Sequence, residues 1–192
     1  MNNRPFPLAA ALLALAACSA QPAASPPLQG ARIGGPIALI DQNGRAFGDA
    51  QLAGKYRIVY FGYTFCPDVC PVDVQNISAA MKVLEQRDAA LAARIVPVFI
   101  TVDPARDTPA VLRQFAGNFH PRLVALTGTP AQTAAIAKAF GIYFARGRGN
   151  GNGYLMDHGR QIYLMDPQGK PLALLPETPP AAIADEIVKW AR

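Results

Sequence analysis

Ile58-Val59-Tyr60-Phe61-Gly62-Tyr63-Thr64-Phe65-Cys66-Pro67-Asp68-Val69-Cys70-Pro71 is the stretch from which the architecture is read. Its first six residues form a continuous apolar run, the mark of a strand covered on both faces. From Pro71 onward the period becomes helical: Val74, Ile77, Met81, Leu84 and Leu91 recur at spacings of three, four and seven. Pro71 fits the first turn of that helix, where its missing N–H costs nothing. Cys66 and Cys70 therefore occupy a strand-to-helix junction, four residues apart.

The same grammar extends on both sides. Ile37–Ile40 is a short strand, and Asp41-Gln42-Asn43-Gly44 carries the Asn-Gly signal of a hairpin. Ile95–Val102 is a second buried strand. Thr108-Pro109 and Thr129-Pro130 each place an N-cap threonine before a proline at the first helical position. Leu123–Leu126 lies between those two helices as a third strand. Ile142–Phe144 and Gln161–Met165 read as strands around a loop, and Arg146–Gly153, with four Gly and two Asn, reads as a mobile loop. A tight turn at Asp166–Gly169 leads into Pro171–Leu175, and a last helix covers about residues 179–191. Strands alternate with helices early and an antiparallel hairpin comes late, which gives an α/β class with a mixed central sheet flanked by helices.

The N-terminus is of another kind. Arg4 precedes a ten-residue apolar stretch, Leu8–Ala17, too short to span a bilayer and suited to a signal peptide. Leu15-Ala16-Ala17-Cys18 resembles a bacterial lipobox, which would cleave before Cys18 and acylate its thiol. The expected organisation is a lipoprotein signal peptide over residues 1–17, a flexible tether over 18–32 from lipidated Cys18, and one domain over 33–192. A chain so anchored faces the periplasm.

Composition narrows the function. The chain of 192 residues is 51% hydrophobic, enough for a full core and against disorder. Its formal charge of +5 is spread thinly, with no run of five basic residues, so nucleic acid is not an expected partner. Of three cysteines, Cys18 is assigned to the lipid, and two remain in the domain. Near a helix N-terminus, unpaired N–H groups and the macrodipole favour the thiolate, which is both nucleophile and metal ligand. Spacing alone leaves a metal site, a redox pair and a structural disulfide open.

Thiolates select soft ions, and an added imidazole suits copper or zinc. Only two histidines are present. His120, in Asn118-Phe119-His120-Pro121, reads as a solvated or capping residue. His158, in Met156-Asp157-His158-Gly159, stands before a strand, where a lone histidine is usually structural and a third-ligand role stays open.

Four blocks, GYTFCPDVCP at 62–71, ITVDPARDTP at 100–109, LTGT at 126–129 and DHGRQIYLMDPQG at 157–169, resemble those of the Sco/SenC family in order and approximate spacing. The resemblance implies a thioredoxin-like fold outside the cytoplasm and one copper ion, as Cu(I) or Cu(II), bound by Cys66, Cys70 and His158. It implies a metallochaperone rather than an enzyme, assisting maturation of the dinuclear copper centre of cytochrome c oxidase. The partners so implied are the copper-receiving oxidase subunit and other periplasmic copper carriers. The alternative is a thiol–disulfide oxidoreductase using Cys66 and Cys70 on the cysteines of a periplasmic partner, and a peroxidase is a third class. The chain departs from the family pattern at Gly159, at Val72 and Asp73, and in replacing a transmembrane anchor by a lipobox. Asp68, between the thiols, and Asp103, at the end of its strand, are candidates to support the site. Asp107 reads as a turn and cap residue, and Tyr63 and Phe65 as packing against the site.

Overall fold

β3 (Tyr56–Gly62) is buried at all seven positions and forms the spine of the domain. It pairs in parallel with β4 (Ile95–Thr101), with Gly62 opposite Thr101. β4 in turn pairs in parallel with β5 (Val124–Thr127). On the other side β3 pairs antiparallel with β8 (Ile162–Met165), and β8 with β9 (Pro171–Leu175). The hairpin of β1 (Ala38–Asp41) and β2 (Ala46–Gly48) joins antiparallel to β5. The resulting seven-stranded mixed sheet has the order β2-β1-β5-β4-β3-β8-β9. The mixed sheet flanked by helices is the thioredoxin-like fold that the resemblance implied. This computed structural model describes residues 24–150 and 153–191; segment 1–17, Cys18 and the tether up to residue 23 lie outside the described residues.

α1 (Val69–Arg87) follows the loop after β3 and buries Cys70, Val74, Ile77, Met81 and Leu84 on one stripe. It packs against α5 (Pro180–Trp190). The apolar spacing does not carry α1 on to Leu91. Asp88 takes an extended conformation and its carboxylate accepts the Leu91 amide at 2.9 Å, starting the short α2 (Ala89–Ala93). The Thr-Pro signals are as read: Thr108 caps α3 (Pro109–Ala116), and Thr129 with Gln132 forms a capping box on α4 (Pro130–Ala139).

Two expectations need correction. The glycine-rich stretch is no open loop. β6 (Phe144–Asn150) and β7 (Gly153–His158) pair antiparallel as a separate two-stranded sheet, with a register shift between Arg146 and Gly149. Glycine weakens a strand's own preference, and here the partner strand supplies the pairing. The chain also meets the domain before residue 33. The Leu28 amide bonds the Leu172 carbonyl at 2.9 Å, and Leu28 and Ile33 pack on the core. Among the described residues no helix is long and apolar enough to cross a membrane.

Candidate metal centre

Cys66 lies in the loop after β3 and Cys70 in the first turn of α1. A buried carboxylate shapes that loop. Asp107 has no exposed surface and accepts the Thr64 amide at 3.0 Å, the Thr64 hydroxyl at 2.6 Å and the Thr101 hydroxyl at 2.6 Å. It is thus no helix cap, a role that belongs to Thr108, but the tie between the ends of β3 and β4. Burial holds its carboxyl above the usual range even though these three donors pull the other way.

The two thiols are free and differ sharply. Cys66 is half-buried and its sulfur accepts the Cys70 amide at 3.5 Å. Burial pushes its pKa up, but the amides of Cys70, Asp68 and Val69 and the Cys70 thiol outweigh that and bring it below the ordinary thiol value. Cys70 is fully buried, and burial together with the neighbouring Cys66 pushes its thiol up to about 12. Its sulfur occupies the space beside Gly62: a Cβ at that position would lie 3.2 Å from Cys70 Sγ and 2.9 Å from the Phe99 ring.

His158 ends β7, and the topology brings it from 88 positions away to the Cys70 sulfur, with Nε2 3.1 Å from Sγ. Its Nδ1 is 2.8 Å from the Gly159 carbonyl, an acceptor only, so Nδ1 carries the proton and the Nε2 lone pair faces the sulfur. Tyr63 and Tyr60 meet the imidazole edge-on, at 5.9 and 6.3 Å between centroids. Tyr63 is buried as expected, whereas Phe65 is half-exposed.

Asp103 does not reach either sulfur or the imidazole. It pairs with Arg106 and accepts the Tyr154 hydroxyl at 2.9 Å. Arg106 also donates to the Tyr154 carbonyl at 2.8 Å and lies over the Phe65 and Tyr154 rings. Asp103 therefore holds the β6–β7 hairpin down over the thiol loop. Asp68 is exposed, and its side chain makes no capping bond. His120 is neither solvated nor near the site. It is buried, takes the Arg122 amide on Nδ1 and meets Glu85 at 3.1 Å through Nε2.

Sequence reasoning missed Asp73, Arg160 and Tyr154. The only available signals were position: Asp73 comes three residues after Cys70 and Arg160 two after His158.

Among the described residues no three His, Cys, Asp or Glu side chains form a ready-made metal cage. The donors present, two sulfurs and a neutral imidazole nitrogen, nonetheless form a soft set that fits copper or zinc. A cavity of about 810 Å³, lined by Arg32, Asp49, Arg57 and Lys170 among others, shares no residue with this group.

Both histidines have pKa values lowered below 6.5, His120 and His158 alike chiefly through burial. Each is therefore neutral in the fold and binds a proton more readily when unfolded. Their stabilisation is complete above about pH 6.5 and is lost as pH falls toward the folded values. Thermal melts of the metal-free protein from about pH 8 to pH 5 are expected to hold a level midpoint above that point and to decline below it. His120→Gln should make the decline shallower, whereas a midpoint flat throughout would contradict two buried neutral imidazoles.

Comparison with known proteins adds to this geometry. The sequence model of the SCO1/SenC family matches residues 25–192. A SCO2-like protein of Rickettsia prowazekii is 41% identical over 141 residues, 72% of this chain and 67% of that protein. The structure of Bradyrhizobium japonicum ScoI with copper bound is similar with a TM-score of 0.75 and 36% identity, covering 82% of this chain and 99% of that one. A SCO1/SenC family lipoprotein from Bacillus anthracis is similar with a TM-score of 0.70 and 25% identity, covering 83% of this chain and 95% of that one.

Proposed function

The chain belongs to the SCO1/SenC family, and from that premise we propose that it is a copper chaperone for cytochrome c oxidase assembly, holding one copper ion through Cys66, Cys70 and His158. The observation that carries this reading is the 3.1 Å approach of the His158 Nε2 lone pair to the Cys70 sulfur, beside a second thiol one helical turn away. Copper is the cargo. Two thiolates satisfy Cu(I), and the imidazole adds the nitrogen donor that Cu(II) favours. Because the imidazole rides on a hairpin separate from the main sheet, a recipient with its own Cys and His ligands can displace the donors one at a time. Cleavage before Cys18, its acylation, and a periplasmic position for the domain belong to the same proposal, supported by the Leu15–Cys18 pattern and by the lipoprotein relative.

Adding Cu(II) to the purified, reduced protein is expected to give one equivalent of bound copper and a yellow-orange sulfur-to-copper charge-transfer band. His158→Ala should weaken Cu(II) binding by about 100-fold or more, beyond the 10–100-fold typical of losing an outer-shell partner, and displace the band. Unchanged copper binding in that variant would sink the assignment.

A second reading rests on the contrast between the thiols. The accessible, low-pKa Cys66 is suited to attack a partner's disulfide as thiolate, releasing one partner sulfur and forming a mixed disulfide. Cys70 would then resolve it, leaving a Cys66–Cys70 disulfide and a partner dithiol, two electrons and two protons having passed to the partner. That role does not need His158. Oxidase assembly in cells carrying His158→Ala separates the two, because lost assembly marks copper and retained assembly marks thiol exchange.

A further inference from the structure

Beside the thiols lies a strong interaction that the copper reading leaves unused. Asp73 is 1% exposed, a carboxylate in the interior of α1. Arg160 meets it with both arms, Nε to Oδ2 at 3.1 Å and Nη2 to Oδ1 at 2.8 Å. The Tyr60 hydroxyl donates to the same Oδ2 at 2.8 Å, and Arg160 Nη2 also reaches Glu177 at 3.0 Å. A carboxylate so deeply buried is tolerated only with such partners, and here the guanidinium comes from the segment that carries the imidazole.

Other ties on that segment are modest: the Gly159 amide bonds the Tyr143 carbonyl at 2.9 Å within the hairpin, and the Tyr63 and Tyr60 rings meet the imidazole edge-on. β6–β7 shares no backbone ladder with the main sheet, and pairing resumes only at Ile162, opposite Tyr60. Near its turn the hairpin is held through Tyr154, Asp103 and Arg106. Past His158, Arg160 ties the chain to the helix of Cys70. A two-pronged guanidinium–carboxylate contact sets angle as well as distance.

We propose that the Arg160–Asp73 pair is a positioning clamp for the third copper ligand: it fixes the exit of β7 against α1 and so holds the His158 Nε2 lone pair on the Cys70 sulfur. The inference rests on the copper reading above. Arg160 touches neither sulfur, so its side of the clamp governs the nitrogen donor, whereas Asp73 also reaches Cys70 through the Tyr60 hydroxyl, which makes the Arg160 variants the cleaner probes. Cu(II), which gains from the imidazole, is sensitive to it, and Cu(I), held by two sulfurs, is not.

The test compares Arg160→Met, Arg160→Lys, Asp73→Asn and His158→Ala in the full chain, each checked for folding by circular dichroism. Arg160→Met is expected to keep Cu(I) affinity within a few-fold of the parent. Its Cu(II) affinity should fall about 10–100-fold, with its visible and EPR spectra moving toward those of His158→Ala. Asp73→Asn should move in the same direction. Arg160→Lys, a point charge without the fork, should recover only part of the parent spectrum. That variant also keeps the test decisive if the methionine protein fails to fold. An ion pair that merely stabilises the fold would lower the melting temperature and leave the Cu(II) spectrum untouched. Folded Arg160 variants with parental Cu(II) affinity and spectrum, beside an altered His158→Ala, overturn the clamp alone. A parental His158→Ala spectrum overturns the copper-site reading and the clamp with it.

Discussion

Cys70→Ala is expected to lose Cu(I) affinity by about 10²–10⁴-fold, and Cys66→Ala by a similar factor. Tight sites for thiolate-bound ions are worth about 10–16 kcal/mol, so one of three ligands accounts for roughly 3–5 kcal/mol. The loss exceeds that expected for His158→Ala with Cu(I), because the one sulfur and one imidazole that remain suit the soft ion less well than two thiolates do. Alanine at position 70 fills most of the thiol's small volume in a buried first turn, so the fold should survive and the loss should be one of ligation. The measurement is competition for Cu(I) against a chelator of known affinity. Stoichiometric copper retained by either variant would contradict the ligand set. Affinity should also rise with pH, at least about tenfold per unit around neutrality. The Cys70 thiol at about 12 is still protonated there, and Cu(I) must displace that proton. His158, already neutral, adds nothing to the slope above its lowered pKa.

In the metal-free dithiol protein, a thiol-specific alkylating agent at pH 7 should label Cys66 at least about 30-fold faster than Cys70. With Cys66 below 9.0 and Cys70 at about 12, their thiolate fractions at that pH differ by more than about 10³. The higher-pKa thiolate is intrinsically the better nucleophile, which returns about 20- to 30-fold. Ionisation therefore wins, and the complete burial of Cys70 widens the gap. Raising the pH should speed Cys66 only until it is ionised, below 9, while Cys70 continues to gain. Mass spectrometry of the singly labelled peptide reads the site directly, and equal labelling would refute the asymmetry.

Much of the fold was legible because local and global signals agreed. The seven-residue strand β3, both Thr-Pro helix starts and the Asp41–Gly44 turn each combined a period with a terminating residue. Where one signal stood alone, it misled. Leu91 continues the spacing of α1, but Asp88 interrupts the backbone by capping a new helix, and apolar periodicity does not register a single capping carboxylate. The β6–β7 hairpin was hidden for a different reason: alternating glycines have no side-chain pattern, so its pairing is visible only once the partner strand is in place. The thiols and His158 were found from residue type and from the resemblance. Asp73 and Arg160 could not be found, because the burial that makes a carboxylate demand a guanidinium is a property of three dimensions. His120 was misplaced likewise, since a histidine before a proline gives no hint that Ser78 and Glu85 enclose it.

Gly62 gives the site a vulnerability that no inspection of donor atoms would disclose. The hydrogen it bears in place of a methyl leaves the room in which the second sulfur rests, a spot that two aromatic rings also crowd. Alanine there would have to shift either a ring or the sulfur, so the smallest change in this strand would act as a lesion in metal handling while every donor remained intact. A search for inactivating variants confined to Cys and His would overlook it.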